Sequence, residues 1–199
     1  MRRFRFASAL TLALVAPASG TVEPNQTIRP DGIPRGVVPG PDGRTVYISG
    51  EIGEGLSTRL DALLRSRPGI RKLVLTSEGG FVEEAKALGA VVSGYALETH
   101  VPRYCVSACT LVFVQGKVRY AEPGARFGFH APYVTTESGD EIQVDAADEE
   151  SVYVSAGVDP DFAREALAIS PADMWFPDAD RLLRAGVVTR FVSGDVPAE

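Results

Sequence analysis

Metal ligands are scarce in this chain. It carries two histidines and two cysteines in all, whereas a structural zinc takes about four such side chains, so the composition predicts no metal. Long basic runs are missing as well. Outside the N-terminal Met1-Arg2-Arg3-Phe4-Arg5 there is no Lys/Arg tract, and the net charge is −6; the electrostatic footprint of a nucleic-acid binder is therefore absent. No Gly-Lys-Ser/Thr ending marks a Walker phosphate loop, and no internal repeat is evident. The apolar stretch 6–16 falls short of a bilayer-crossing helix, which needs ~20 residues. What remains is 45% hydrophobic and 23% charged over 199 residues, the make-up of one globular domain with a sizeable core.

The basic start followed by residues 6–16 has the form of a secretory signal. Ala16-Pro17-Ala18 and Ala18-Ser19-Gly20 both offer small residues to a signal peptidase. Residues 1–20 are thus expected to be removed, leaving a soluble chain that is periplasmic or secreted; an uncleaved amphipathic anchor is the other reading. Residues 21–44 hold Pro24, Pro30, Pro34, Pro39 and Pro41 without periodicity and read as an arm outside the core. The domain is expected over 45–193, with 194–199 a short tail. Cys105 and Cys109 are four positions apart. In an oxidising compartment they can pair, since one helical turn brings Cα atoms to about 6 Å. Two small buried thiols packing beside Ser107 are the equal alternative.

Hydrophobic periodicity supplies the elements. Residues 45–52 read as a strand and 56–66 as a helix, with Leu56, Leu60, Leu63 and Leu64 at helical spacing. Residues 71–76 form a buried strand that Ser77-Glu78-Gly79-Gly80 breaks, and 81–97 resume as a helix. Residues 100–104 read as a short strand, 106–115 as a buried helix, 118–121 and 126–130 as strands. The polar, acidic interval 135–150 reads as a solvated loop leading into a helix, with a lid as the other possibility. Asp159 or Asp161 opens a helix over 162–168, and Pro177-Asp178 open a last one that Gly186 ends. Strands alternating with helices predict α/β layers.

Three features carry chemistry. Gly79-Gly80 sit between a buried strand and a helix, where free N–H groups point into the turn; alone, a tight turn explains them. Ser107 lies in Cys105-Val106-Ser107-Ala108-Cys109 near the start of a buried helix, where the dipole and the Ala108 N–H favour a developing oxyanion. A serine hydroxyl needs a base to act as nucleophile. His130, at the end of strand 126–130, is placed for that work, although a lone histidine is as readily a surface or core residue. The Cys-x-Ser-x-Cys spacing matches the G-x-S-x-G elbow, but that fold orders Ser, Asp, His. Here the histidine precedes the later acids, which disfavours the ordinary α/β-hydrolase fold.

The chain order of Gly79-Gly80, Ser107-Ala108, Gly116, Arg119 and Gly128-Phe129-His130-Ala131-Pro132 resembles the Clp protease proteolytic subunit and its relatives in the crotonase-like superfamily. The likeness covers residues 46–192 and is strongest over 76–133. It implies an α/β fold, a ClpP/crotonase-like spiral of ββα units, with Ser107 as nucleophile, His130 as base and Asp173 as the acid. The backbone N–H groups of Gly80 and Ala108 would form the oxyanion hole, with Gly79 supporting the turn. It further implies a peptide or protein substrate, self-association into a homo-oligomer, and no cofactor. An exported chain has no access to a cytosolic unfoldase, so none is expected. The segment between His130 and Asp173 is shorter than the family's handle, so the double-ring barrel is not carried over, and the two cysteines flanking Ser107 point to a separate exported branch. Two other functions share this fold: a non-catalytic peptide- or partner-binding module, and a coenzyme-A hydratase or isomerase, which export argues against.

Overall fold

The computed structural model describes residues 36–194. The expected signal sequence and the last tail residues lie outside this range. A six-stranded sheet forms the base of the domain, in the order β1 (Gly36–Pro39), β2 (Thr45–Ser49), β3 (Lys72–Thr76), β4 (Glu98–Val101), β6 (Arg119–Ala121) and β10 (Arg190–Phe191). All neighbours run parallel except β1 and β2. The Leu73-Val74-Leu75 run of β3 is buried, as a central strand covered on both faces requires.

A second, smaller sheet continues from the first. Pro102-Arg103 break β4 from β5 (Tyr104–Val106), which pairs in parallel with β7 (Arg126–Gly128). Bridges Ile52↔Gly80, Ser77↔Cys105 and Phe129↔Trp175 extend this layer on both sides. Successive units therefore contribute one strand to the base, a shorter stretch to the small sheet and then a helix, giving the ClpP-like spiral of ββα units.

Helix α1 (Leu56–Ser66) buries Leu56, Leu60 and Leu64 on one stripe. Its free N-terminal N–H groups are met from the next helix, α2 (Val82–Gly94): Glu84 accepts from Gly55 N–H at 3.1 Å and Ser57 N–H at 2.7 Å. Burial pushes the Glu84 carboxyl up, but the hydrogen bonds from Ser57 and Gly55 outweigh it and hold it below the usual range. Helix α3 (Ala108–Phe113) is buried throughout. Asp159 caps α5 (Pro160–Leu167) by accepting from Phe162 N–H, and Asp178 caps α6 (Ala179–Arg184) by accepting from Arg181 N–H. Helix α4 (Ala147–Ser155) precedes α5 and packs against it and against α3.

Arg119 ties these helices together. Its buried guanidinium donates to the carbonyls of Val114 (3.1 Å), Ala156 (2.9 Å), Gly186 (2.5 Å) and Val187 (3.0 Å). Those carbonyls lie at the C-terminal ends of α3, α4 and α6, where orphan acceptors and the negative ends of the helix dipoles collect.

Several sequence expectations need correction. The arm 21–44 is not wholly outside the sheet, because residues 36–39 form its antiparallel edge strand β1. The helix expected over 81–97 ends at Gly94, since Leu97 and Glu98 are drawn into the base sheet by Lys117 N–H to Leu97 O and Glu98 N–H to Arg71 O. The strand expected over 100–104 is two strands in two sheets, and Val106 belongs to the second of them rather than to the helix. The interval 135–150 does lead into a helix, α4, but it is not loop alone before it: β8 (Tyr133–Thr135) and β9 (Glu141–Gln143) form an exposed antiparallel hairpin. Among the described residues no helix is long and apolar enough to cross a membrane, and no group of three or more His, Cys, Asp and Glu side chains could hold a metal ion.

Candidate active site

Ser107 occupies the single residue between β5 and α3. Its backbone is at φ 56° and ψ −130°, a conformation that side-chain-bearing residues rarely adopt and that clusters at functional sites. Neighbours over-determine it. Ser107 N–H donates to Gly128 O at 2.8 Å, while its carbonyl accepts from Thr110 N–H at 2.9 Å and Thr110 Oγ1 at 2.7 Å. Cys105 and Cys109, both fully buried, are joined as a disulfide with Cα atoms 5.3 Å apart, closing a loop around Ser107.

The Gly79-Gly80 turn lies directly against this residue. A Cβ on Gly79 (φ 99°) would stand 2.7 Å from Val106 O, 2.8 Å from Ser107 Cβ and 3.0 Å from Ala108 N. A Cβ on Gly80 (φ 145°) would collide with the Ile52 carbonyl oxygen. Only glycine lets the two backbones approach so closely. Among the described residues, neither Gly80 N–H nor Ala108 N–H donates to a protein acceptor, so both remain free for a ligand.

His130 is fixed through its neighbours in the chain. Phe129 exchanges two hydrogen bonds with Trp175, and Ala131 N–H donates to Ile169 O at 2.8 Å. The Phe129 ring is clamped in an apolar cluster, 5.3 Å edge-on to Phe162 and 6.0 Å from Trp175. Half-buried, the imidazole places Nδ1 2.8 Å from the Ala131 carbonyl oxygen. A carbonyl only accepts, so in this contact Nδ1 carries the proton and the neutral ring keeps its lone pair on Nε2.

Ser107, Ala108, Gly80 and His130 line one cavity of about 1380 Å3. Asp173 does not line it. That residue is exposed, its N–H donating to Ser170 O at 2.9 Å. Among the described residues neither Ser107 and His130 nor His130 and Asp173 are hydrogen-bonded to each other. The lining of the cavity is acidic, with Glu51, Glu54, Glu78 and Asp145 contributing, and Lys86 is its one Lys or Arg among the described residues. Lys86 bonds Glu83 at 2.7 Å and faces Glu149 at 3.5 Å. The Glu83 hydrogen bond raises its pKa despite partial burial. Sequence reading missed Thr110 and Tyr153, whose hydroxyls meet beside Ser107. Thr110 lay in an apolar run and Tyr153 in a different helix, so no local pattern connects them.

No protein-family model and no curated protein sequence matches the chain. Solved structures do. ClpP1 from Listeria monocytogenes superposes with a TM-score of 0.61 at 17% identity, covering 77% of this chain and 94% of that one. A variant of the 1510-N membrane-bound stomatin-specific protease in complex with a substrate peptide gives a TM-score of 0.58 at 15% identity over 80% of this chain and 77% of that one. The chain has a ClpP-like α/β fold.

Proposed function

We propose that the chain is an exported serine peptidase-like hydrolase acting on peptide substrates. The observation that carries this is the backbone-strained Ser107 lining one cavity with His130, beside the two unengaged N–H groups of Gly80 and Ala108. In the reaction, Ser107 Oγ attacks the scissile carbonyl carbon while His130 Nε2 takes its proton. The oxyanion accepts from Gly80 and Ala108 N–H. Collapse breaks the C–N bond, the amine leaves with the proton from Nε2, and water then enters by the same route to release the acid. Nδ1 keeps its proton throughout and donates it to the Ala131 carbonyl, so the pair works without donating a hydrogen bond to Asp173. Substrate entry must bring Ser107 Oγ and Nε2 into bonding distance, as catalytic contacts commonly tighten only in the complex. Self-association belongs to the same reading. Val134 and Ile142 of the β8–β9 hairpin, each 53% exposed, are apolar surface that it would cover.

A fluorophosphonate probe tests the proposal. The wild-type chain is expected to label at Ser107, with Ser107→Ala unreactive; equal reaction of the two, or none by wild type, rejects it. A non-catalytic peptide-binding module is the second reading, favoured by the missing Ser107–His130 hydrogen bond. It predicts peptide binding that survives Ser107→Ala, without turnover.

A further inference from the structure

Tyr153 is buried on α4, and its hydroxyl lies 2.6 Å from Thr110 Oγ1 in α3. Thr110 Oγ1 in turn lies 2.7 Å from the Ser107 carbonyl oxygen. Counting protons fixes the direction of both bonds. The Ser107 carbonyl can only accept, so the single Thr110 hydroxyl proton is committed to it, and Tyr153 O–H must donate to Thr110 Oγ1. Burial pushes the Tyr153 phenol well up, which keeps it protonated and a donor.

The carbonyl held by this relay shares its peptide plane with Ala108 N–H. A trans peptide is planar, with C=O and N–H pointing in opposite directions. Pulling the Ser107 oxygen toward Thr110, by its N–H at 2.9 Å and its hydroxyl at 2.7 Å, therefore turns Ala108 N–H the other way. The Gly79-Gly80 turn lies beside that nitrogen, since a Cβ on Gly79 would come within 3.0 Å of Ala108 N. We infer that Thr110 and Tyr153 are positioning residues that aim the Ala108 N–H at the oxyanion, by locking the Ser107–Ala108 peptide through its carbonyl. The inference rests on the hydrolase reading for its catalytic consequence, and on geometry alone for the orientation.

The experiment uses the full chain and three variants, Thr110→Val, Thr110→Ser and Tyr153→Phe, with fluorophosphonate labelling rates, kcat and KM on a fluorogenic peptide, and crystal structures of wild type and Thr110→Val. Losing the aim of one oxyanion donor should lower the labelling rate and kcat of Thr110→Val by about tenfold or more at little-changed KM. Thr110→Ser, which keeps the hydroxyl, should return to within about threefold of wild type, with Tyr153→Phe between the two. The Ser107–Ala108 peptide of Thr110→Val should be rotated. Wild-type labelling and kcat in Thr110→Val, an unrotated peptide, or a Thr110→Ser variant as slow as Thr110→Val would overturn the inference. A wild-type chain that never labels defeats the hydrolase reading instead, and the rotated or unrotated peptide then decides the orientation by itself.

Discussion

His130 Nδ1 lies 2.8 Å from the carbonyl oxygen of Ala131, the residue next to it in the chain. A backbone acceptor thus does locally what a triad carboxylate does from elsewhere: it fixes the tautomer that leaves Nε2 free to accept. Asp173, the acid that the family likeness points to, is exposed and makes no hydrogen bond to the ring. Replacing Asp173 with Ala should leave fluorophosphonate labelling within about threefold of wild type, whereas loss of a working triad acid costs about 10⁴ in kcat. A loss of that larger size, measured on the same probe, would place Asp173 in the triad.

Two glycines with similar backbones should respond differently to alanine. Gly79 and Gly124 have φ of 99° and 89°, but a Cβ meets Ser107 and Val106 at Gly79 and nothing within 4 Å at Gly124. Gly124→Ala should cost only the left-handed penalty of about 1 kcal/mol, with labelling intact. Gly79→Ala should cost about 2 kcal/mol or more and abolish labelling, because the serine must move away. Chemical denaturation together with probe labelling separates the two effects.

In the proposed reaction the acidic lining of the cleft should set a preference among peptide substrates. Glu51, Glu54, Glu78 and Asp145 line the cavity, while Lys86, its one lysine among the described residues, is matched by Glu83 and Glu149. Peptides flanked by Lys or Arg should show a kcat/KM about tenfold above acid-flanked ones at low salt. That ratio should shrink toward one as added salt brings the Debye length down to about 3 Å. A ratio indifferent to salt would exclude that lining as its origin.

Arg119 holds the C-terminal carbonyls of three helices. Arg119→Met keeps much of the apolar stem but leaves those acceptors without the guanidinium, and should lower stability by about 3 kcal/mol. Arg119→Lys cannot span the same set and should recover less than half of that. Urea unfolding gives both values.

Acid should selectively weaken the junction of α1 and α2. The Glu84 carboxyl is held below its usual range, its hydrogen bonds from Ser57 and Gly55 outweighing burial. The lowered folded-state pKa means that its contribution is complete above the unfolded value of about 4.3 and is lost as pH falls through the folded one. The Tm gap between wild type and Glu84→Gln should therefore be widest near neutral pH and close below about pH 4. A gap that persists in acid would show that the side chain's shape, not its charge, caps α1.

What could be read from the sequence depended on how local the signal was. Helix α1 matches the leucine spacing at both ends, and the buried run of β3 announced itself, because each is decided by residues within one segment. Ser107, His130 and the glycine turn were legible through their order along the chain. The β8–β9 hairpin was not, since its polar strands and central Ser138-Gly139-Asp140 look like solvated loop, and its exposed Val134 and Ile142 are too few to show an alternation. The Thr110–Tyr153 contact joins residues 43 apart in the chain, and the reach of Arg119 across three helices likewise exists only once the spiral has closed.

The bridge between Cys105 and Cys109 has a consequence for how the domain breathes. It joins a strand of the small sheet to the buried helix α3, and helix ends are among the places where local opening starts. Here β5 and the first turn of α3 are covalently one piece, so fraying of the helix cannot carry Ser107 away from Gly128. The backbone amides on either side of the serine belong to one cooperative unit, and Ser107 keeps its place until that whole unit opens.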